Sequence, residues 1–177
     1  MSTKKILIRN GQLVSSKGIF KKNILIQNGK IANIGELSGI EADYVIDASK
    51  KYILPGIIDP QVHFRDPGFP DKEDLRTGSM AAAAGGVTTF FEMPNTNPAT
   101  TTIEKLNQKY DIASQKSIVN YSFFFGATSE NLNEIKNLQN NCGLKIFMGS
   151  STGNLLVDKD EDLDKIFATC DRVIAVH

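Results

Sequence analysis

The feature that most constrains this chain is an alternation of short apolar runs with helical stretches that begins after Gly56. Ile57 to Phe64 is strand-like, and Lys72 to Ala84 is helical with Gly85-Gly86 as its stop. Val87 to Met93 is a second strand, rich in β-branched and aromatic residues. Thr102 to Lys116 places Ile103, Leu106, Tyr110 and Ala113 on one helical stripe. Val119 to Phe125 reads as a third strand, and Ser129-Glu130 opens a third helix carrying Leu132, Ile135 and Leu138. Leu144 to Met148 is a fourth strand, Asp160 to Cys170 a fourth helix, and Arg172 to His177 a fifth strand. Strands separated by helices at this spacing form right-handed βαβ units around a parallel sheet.

Two architectures satisfy that order, an open doubly wound sheet and a (β/α)8 TIM-type barrel. A doubly wound nucleotide fold calls for a glycine-rich turn after its first strand, GxGxxG or GxxxxGK[ST], and neither occurs. Polar and charged residues cluster instead where successive strands end, as on the active face of a barrel. The expected fold is therefore α/β, the first five strands of a (β/α)8 barrel over residues 55–177. Ahead of it, residues 1–54 hold short strands such as Lys5 to Arg9, Asn23 to Gln27, Lys30 to Ile34 and Tyr44 to Asp47. Asn10-Gly11 and Asn28-Gly29 follow such strands, and Asn-Gly between apolar runs is a strong hairpin signal. These residues read as an antiparallel β-sandwich module. With five strands of eight, the chain is expected to be the amino-terminal part of a longer protein.

Charge narrows the functional classes. The 20 basic and 20 acidic residues cancel, and no run of Lys and Arg marks a nucleic-acid or anionic-membrane surface. No apolar stretch reaches the length of a membrane span, and the first residues do not form a signal peptide. Cys142 and Cys170 fit no disulfide framework or CxxC site, and two buried thiols suit a reducing cytoplasm.

The chemistry-bearing residues sit at strand ends. Gln61, His63 and Arg65 are two apart, so on a strand they share one face. His63 and His177, the only 2 histidines, finish the first and fifth strands. Lys145 lies between Leu144 and Ile146 in a strand that a barrel buries on both faces. A buried ammonium without a partner is costly, so burial favours the neutral amine. Such an amine can be a nucleophile, a Schiff-base former or an acceptor of carbon dioxide. The blander alternatives are a lysine snorkelling to the rim, structural histidines, and Asn95 as a turn residue after Pro94.

Pro55-Gly56-Ile57-Ile58-Asp59 with Val62-His63-Phe64-Arg65-Asp66-Pro67-Gly68 resembles the first-strand motif of cyclic amidohydrolases. Met93-Pro94-Asn95-Thr96-Asn97-Pro98 is most similar to dihydroorotase. Gly143 to Gly149 resembles the strand bearing a carboxylated lysine in that superfamily, and Ala175-Val176-His177 its fifth-strand histidine. The likeness covers the whole chain.

The resemblance implies that His63, carboxylated Lys145 and His177 hold one or two zinc ions, with carbon dioxide bound as a carbamate on Lys145. It implies Arg65 and Asn95 as the grip on a substrate carboxylate, with Arg65 forming a charge-assisted fork. The implied reaction is the reversible cyclisation of N-carbamoyl-L-aspartate to L-dihydroorotate in pyrimidine synthesis, by a metal-activated hydroxide. Dihydropyrimidinase, hydantoinase and allantoinase are the alternatives within the class. A non-catalytic partner of aspartate transcarbamoylase is the alternative outside it, and a homodimer is the other expected association. Two departures stand out. The family motif reads His-x-His where this chain has Gln61, and an amide oxygen is a weaker zinc ligand, so one metal position is expected to be weak or empty. The family's sixth-strand histidine and eighth-strand aspartate, its general base, are expected beyond residue 177, so this stretch alone should not turn over substrate.

Overall fold

The computed structural model describes residues 4–150 and 154–177, which divide into two compact units at the Pro55–Gly56 bond. In the first, the strands are β1 (Lys5–Arg9), β2 (Gln12–Ser15), β3 (Gly18–Lys21), β4 (Asn23–Gln27), β5 (Lys30–Gly35), β6 (Tyr44–Asp47) and β7 (Tyr52–Ile53). They form a four-stranded sheet in the order β5-β4-β1-β6 and a three-stranded sheet in the order β3-β2-β7. Leu7, Ile24 and Ala48 are its buried apolar residues.

Asn28-Gly29 closes the β4–β5 hairpin, with Gln27 opposite Lys30 and φ of 54° and 74° at the two turn residues. Both central residues of a type I′ turn need positive φ, which Asn tolerates and Gly adopts freely. Asn10-Gly11 behaves differently. It passes the chain from β1 in one sheet to β2 in the other, so it closes no hairpin. The module is also not wholly antiparallel, because β1 pairs with β6 and β2 with β7 in parallel. Strands β2 and β3 were not foreseen; their run Gln12 to Lys21 is broken by Ser15, Ser16, Lys17 and Gly18, which weakens any apolar period.

The second unit alternates as the sequence requires. Its elements are β8 (Ile57–Val62), α1 (Leu75–Ala84), β9 (Val87–Glu92), α2 (Ile103–Lys116), β10 (Asn120–Gly126), α3 (Leu132–Lys136), β11 (Gly143–Ile146), α4 (Asp160–Thr169) and β12 (Ile174–Val176). All five strands are parallel and adjacent in chain order, β12-β11-β10-β9-β8, forming a half-barrel. Helix α1 starts later than Lys72 because Asp74 caps it, its carboxylate accepting from the Thr77 amide at 2.7 Å. Thr102 caps α2 in the same way, through the Lys105 amide. Helix α4 has no side-chain cap, but Asp160, Glu161 and Asp162 in its first turn oppose the helix dipole.

The core lies between the sheet and the helices. Phe90, Phe123, Phe125, Leu144 and Ile146 come from the strands, and Leu75, Leu106, Ala113, Ile135 and Ile166 from the helices. Phe64 meets Phe90 edge-on with ring centroids 4.7 Å apart, and Tyr110 meets Phe123 at 4.9 Å. Gly78 of α1 lets the Phe64 ring approach, since a Cβ there would lie 2.7 Å from it. Among the described residues no helix is long and apolar enough to cross a membrane. Both cysteines are free but partly exposed, not buried as expected. Burial nonetheless pushes the Cys142 thiol up to about 11, so it stays protonated and inert near neutral pH.

Candidate functional site

Strand parity decides which side chains leave the core. Leu144 pairs with Phe125 and faces the helices, so Lys145, its neighbour, faces the opposite side together with Gly126 and Ala175. His177, two residues past Ala175, continues on that side. At the other edge Val62 and Phe64 pack against the helix-side core, which turns Gln61, His63 and Arg65 away from it. Regular pairing of the first strand stops at Val62, earlier than expected, after a register shift between Asp59 and Val62. The alternation survives the loss of pairing.

These side chains meet in one cavity of about 390 Å³, lined by Gln61, His63, Arg65, Asn95, Lys145 and His177 together with Phe147 and Ser150. All of the residues singled out in the sequence therefore converge. Arg65 has φ of 65°, a left-handed conformation uncommon for a residue with a Cβ. Its carbonyl accepts from the Phe69 amide at 2.9 Å, and its guanidinium approaches the Asn95 carbonyl at 3.4 Å. The following Asp66 is anchored twice, accepting from the Leu75 amide at 3.2 Å and from Lys116 at 2.6 Å. That ties the loop carrying Arg65 to the start of α1 and the end of α2.

Lys145 is 3% exposed, and its ammonium lies 5.1 Å from the Phe147 ring centroid. Among the described residues no carboxylate comes within ion-pair distance of it. Burial consequently lowers its pKa toward the neutral amine. His63 Nδ1 lies 2.9 Å from Asn95 Oδ1. Its pKa is lowered, chiefly by burial; the Asn95 contact opposes this, while Arg65, Lys145 and Lys109 add repulsion. At neutral pH His63 is thus a neutral base with a free lone pair. The His177 carbonyl accepts from Met148 and Gly149, fixing the backbone that carries the second imidazole.

Three contributors were not foreseen. Phe147 lies just past β11, which ends at Ile146 and not at Met148 as expected, and Ser150 lies in the loop beyond, where no periodicity predicts orientation. The third is an ion pair just outside the cavity. Lys109 on α2 lies 2.9 Å from Glu92 on β9, each side chain 1% exposed, and also donates to the Met93 carbonyl at 3.1 Å. A signal for it existed, because Lys109 stands three residues after Leu106 and four before Ala113, on the buried stripe. Burial raises the Glu92 pKa and lowers that of Lys109, each opposed by the charge of the other. Through Met93 the pair fixes the backbone two residues before Asn95.

Among the described residues no three His, Cys, Asp or Glu side chains are arranged to hold a metal ion. What the cavity offers is two imidazoles, a buried amine, a guanidinium and two amides. That combination can grip an anion and, if the amine became anionic, ligate a cation.

A dihydro-orotase-like family profile matches residues 50–153. An allantoinase of Desulfitobacterium hafniense is 41% identical over 145 residues, 81% of this chain and 32% of its own length. A dihydroorotase of Methanosarcina mazei is 40% identical over 174 residues, 97% of this chain and 38% of its own. Among solved structures, L-hydantoinase (dihydropyrimidinase) from Arthrobacter aurescens superposes with a TM-score of 0.91 at 36% identity, over 97% of this chain and 40% of that one. The chain thus spans between 32% and 40% of the length of these relatives. By profile, sequence and fold together, it belongs to the dihydro-orotase-like family of cyclic amidohydrolases.

Proposed function

We propose that this chain forms part of a dihydroorotase, acting reversibly between L-dihydroorotate and N-carbamoyl-L-aspartate. The observation that carries the choice is Arg65, whose guanidinium lines the same cavity as His63, Lys145 and His177. A guanidinium there matches a substrate carboxylate bidentately. Hydantoin and allantoin carry only neutral carbonyl and N–H groups and offer it no counter-charge. Asn95, buried in the same wall, adds an amide to the grip.

Whether these donors suit zinc turns on the chemistry of Lys145. As an ammonium it would repel a cation from the two imidazoles. As a neutral amine it can add carbon dioxide and lose a proton, giving an anionic carbamate; the absence of a carboxylate partner among the described residues and the depressed pKa both favour this. With Lys145 so modified, His63, His177 and the carbamate fit zinc. Bound there, zinc would polarise the ring amide and supply hydroxide at neutral pH. Gln61 offers only an amide oxygen, so the fit is better for one ion than for two. The chain's own residues then divide the work. Arg65 and Asn95 orient the substrate carboxylate, His63 and His177 present ring nitrogens, and Phe147 covers Lys145 on one side.

The second reading is a hydrolase of neutral cyclic ureides, favoured by the allantoinase and L-hydantoinase similarities. A third, a non-catalytic partner of aspartate transcarbamoylase, draws only on Gln61. The deciding assay compares the full-length protein on L-dihydroorotate, hydantoin and allantoin, with zinc content measured in parallel. Turnover of dihydroorotate alone supports the proposal. Preference for a neutral ring overturns it in favour of the second reading, and a folded protein that takes up no zinc favours the third.

A further inference from the structure

We infer that Asn95 is a positioning residue for His63, holding it as the Nδ1–H tautomer so that Nε2 carries the lone pair offered to the cavity. The two atoms involved are 2.9 Å apart. An imidazole N–H donating to an amide oxygen suits that distance.

Asn95 is the fixed one. It is 7% exposed, whereas His63 is exposed and stands beyond the last paired residue of β8. The backbone just before it is pinned from several directions. The Met93 amide donates to the Val62 carbonyl at 3.0 Å, and the Met93 carbonyl accepts from Lys109 at 3.1 Å. The Pro94 carbonyl accepts from the Thr96 and Thr100 amides, each at 2.9 Å. A buried amide on so constrained a segment can set the ring of a less constrained neighbour. Free histidine favours the opposite tautomer, with the proton on Nε2. The contact with Asn95 is what would reverse that preference, because the hydrogen bond made by one ring nitrogen determines the state of the other.

The consequence for ligation rests on the metal-binding reading proposed above; the tautomer does not. In that reading a ligating imidazole is oriented through its second nitrogen, and loss of such a partner commonly costs about 10–100-fold in metal affinity.

The test is long-range ¹H–¹⁵N correlation on the ¹⁵N-labelled, metal-free full-length protein, at a pH well above the ordinary imidazole value of about 6.5. Loss of one ring pattern in His63→Gln assigns the His63 signals. The expected result is an Nδ1–H tautomer for His63, reverting to Nε2–H in Asn95→Ala and retained in Asn95→Asp, whose carboxylate still accepts. A wild-type His63 found as Nε2–H, or an Asn95→Ala variant with unchanged tautomer, overturns the inference. The backbone amide spectrum of Asn95→Asp guards against a mere folding defect. Titration with zinc in the presence of bicarbonate separates the two claims. A tautomer that switches while zinc uptake falls about 10–100-fold supports both. A tautomer that switches with no zinc bound by either protein supports the role of Asn95 and counts against the metal reading.

Discussion

Replacing Lys109 by methionine tests whether the Glu92–Lys109 pair is a structural tie. The two side chains are each 1% exposed and 2.9 Å apart. At an effective dielectric constant of about 20, their attraction at that distance is roughly 6 kcal/mol, against which both desolvation penalties must be set. Methionine keeps most of the side-chain length and can still pack on Phe123, whose ring centroid lies 4.9 Å from the wild-type ammonium. It leaves the Glu92 carboxylate without its counter-ion and the Met93 carbonyl without its donor. Removing one member of a buried pair costs about 3–5 kcal/mol, a large part of a typical domain stability. The double variant Lys109→Met with Glu92→Leu removes both charges and should recover most of that loss, since apolar replacement of a whole buried pair is often neutral.

The loss should also depend on pH. With Lys109 gone, burial of Glu92, joined by the nearby Asp66 charge and opposed only by the Arg65 backbone amide, holds its folded-state pKa above the unfolded value. Below the ordinary carboxyl pKa of about 4.3, Glu92 is protonated in both states and the deficit is smallest. As pH rises the unfolded chain releases its proton first, so stability falls until the folded-state pKa is passed. Urea unfolding followed by near-ultraviolet circular dichroism reads the second unit, because Tyr110 and Tyr121 are packed together there while Tyr44 and Tyr52 are exposed. A Lys109→Met variant within about 0.5 kcal/mol of wild type at neutral pH would refute the reasoning, as would a double variant no more stable than the single.

Other expected outcomes concern the site and the core. Arg65→Ala should raise KM for dihydroorotate roughly 10–100-fold, the worth of a charged hydrogen bond, while leaving any turnover of neutral hydantoin nearly unchanged. Lys145→Ala should abolish zinc uptake measured by elemental analysis, and the wild-type chain alone should gain the mass of one carbon dioxide in bicarbonate. Phe90→Ala, at a fully buried position in contact with Phe64, should cost about 3–5 kcal/mol in urea unfolding. Gly78→Ala should cost about 1–3 kcal/mol, because its methyl would meet the Phe64 ring.

Much of this molecule is legible without coordinates. Apolar period is a local record of which face of each segment is buried, so the alternation after Gly56 names the strands, the helices and the parallel sheet. The same parity sends His63, Lys145 and His177 to the side opposite Leu144 and Phe64, whatever the curvature of the sheet. The tertiary structure decided what no local period encodes. It set the parallel partners of β1 and β2 and denied Asn10-Gly11 its hairpin, because pairing across sheets depends on distant segments. It joined Lys109 to Glu92 and His63 to Asn95, pairs that lie 17 and 32 residues apart in the chain. It bent the backbone at Arg65 into a left-handed conformation that its neighbours sustain. Burial is written residue by residue along the chain, whereas the partner of a charge or a hydrogen bond is chosen only when distant segments are brought to the same place.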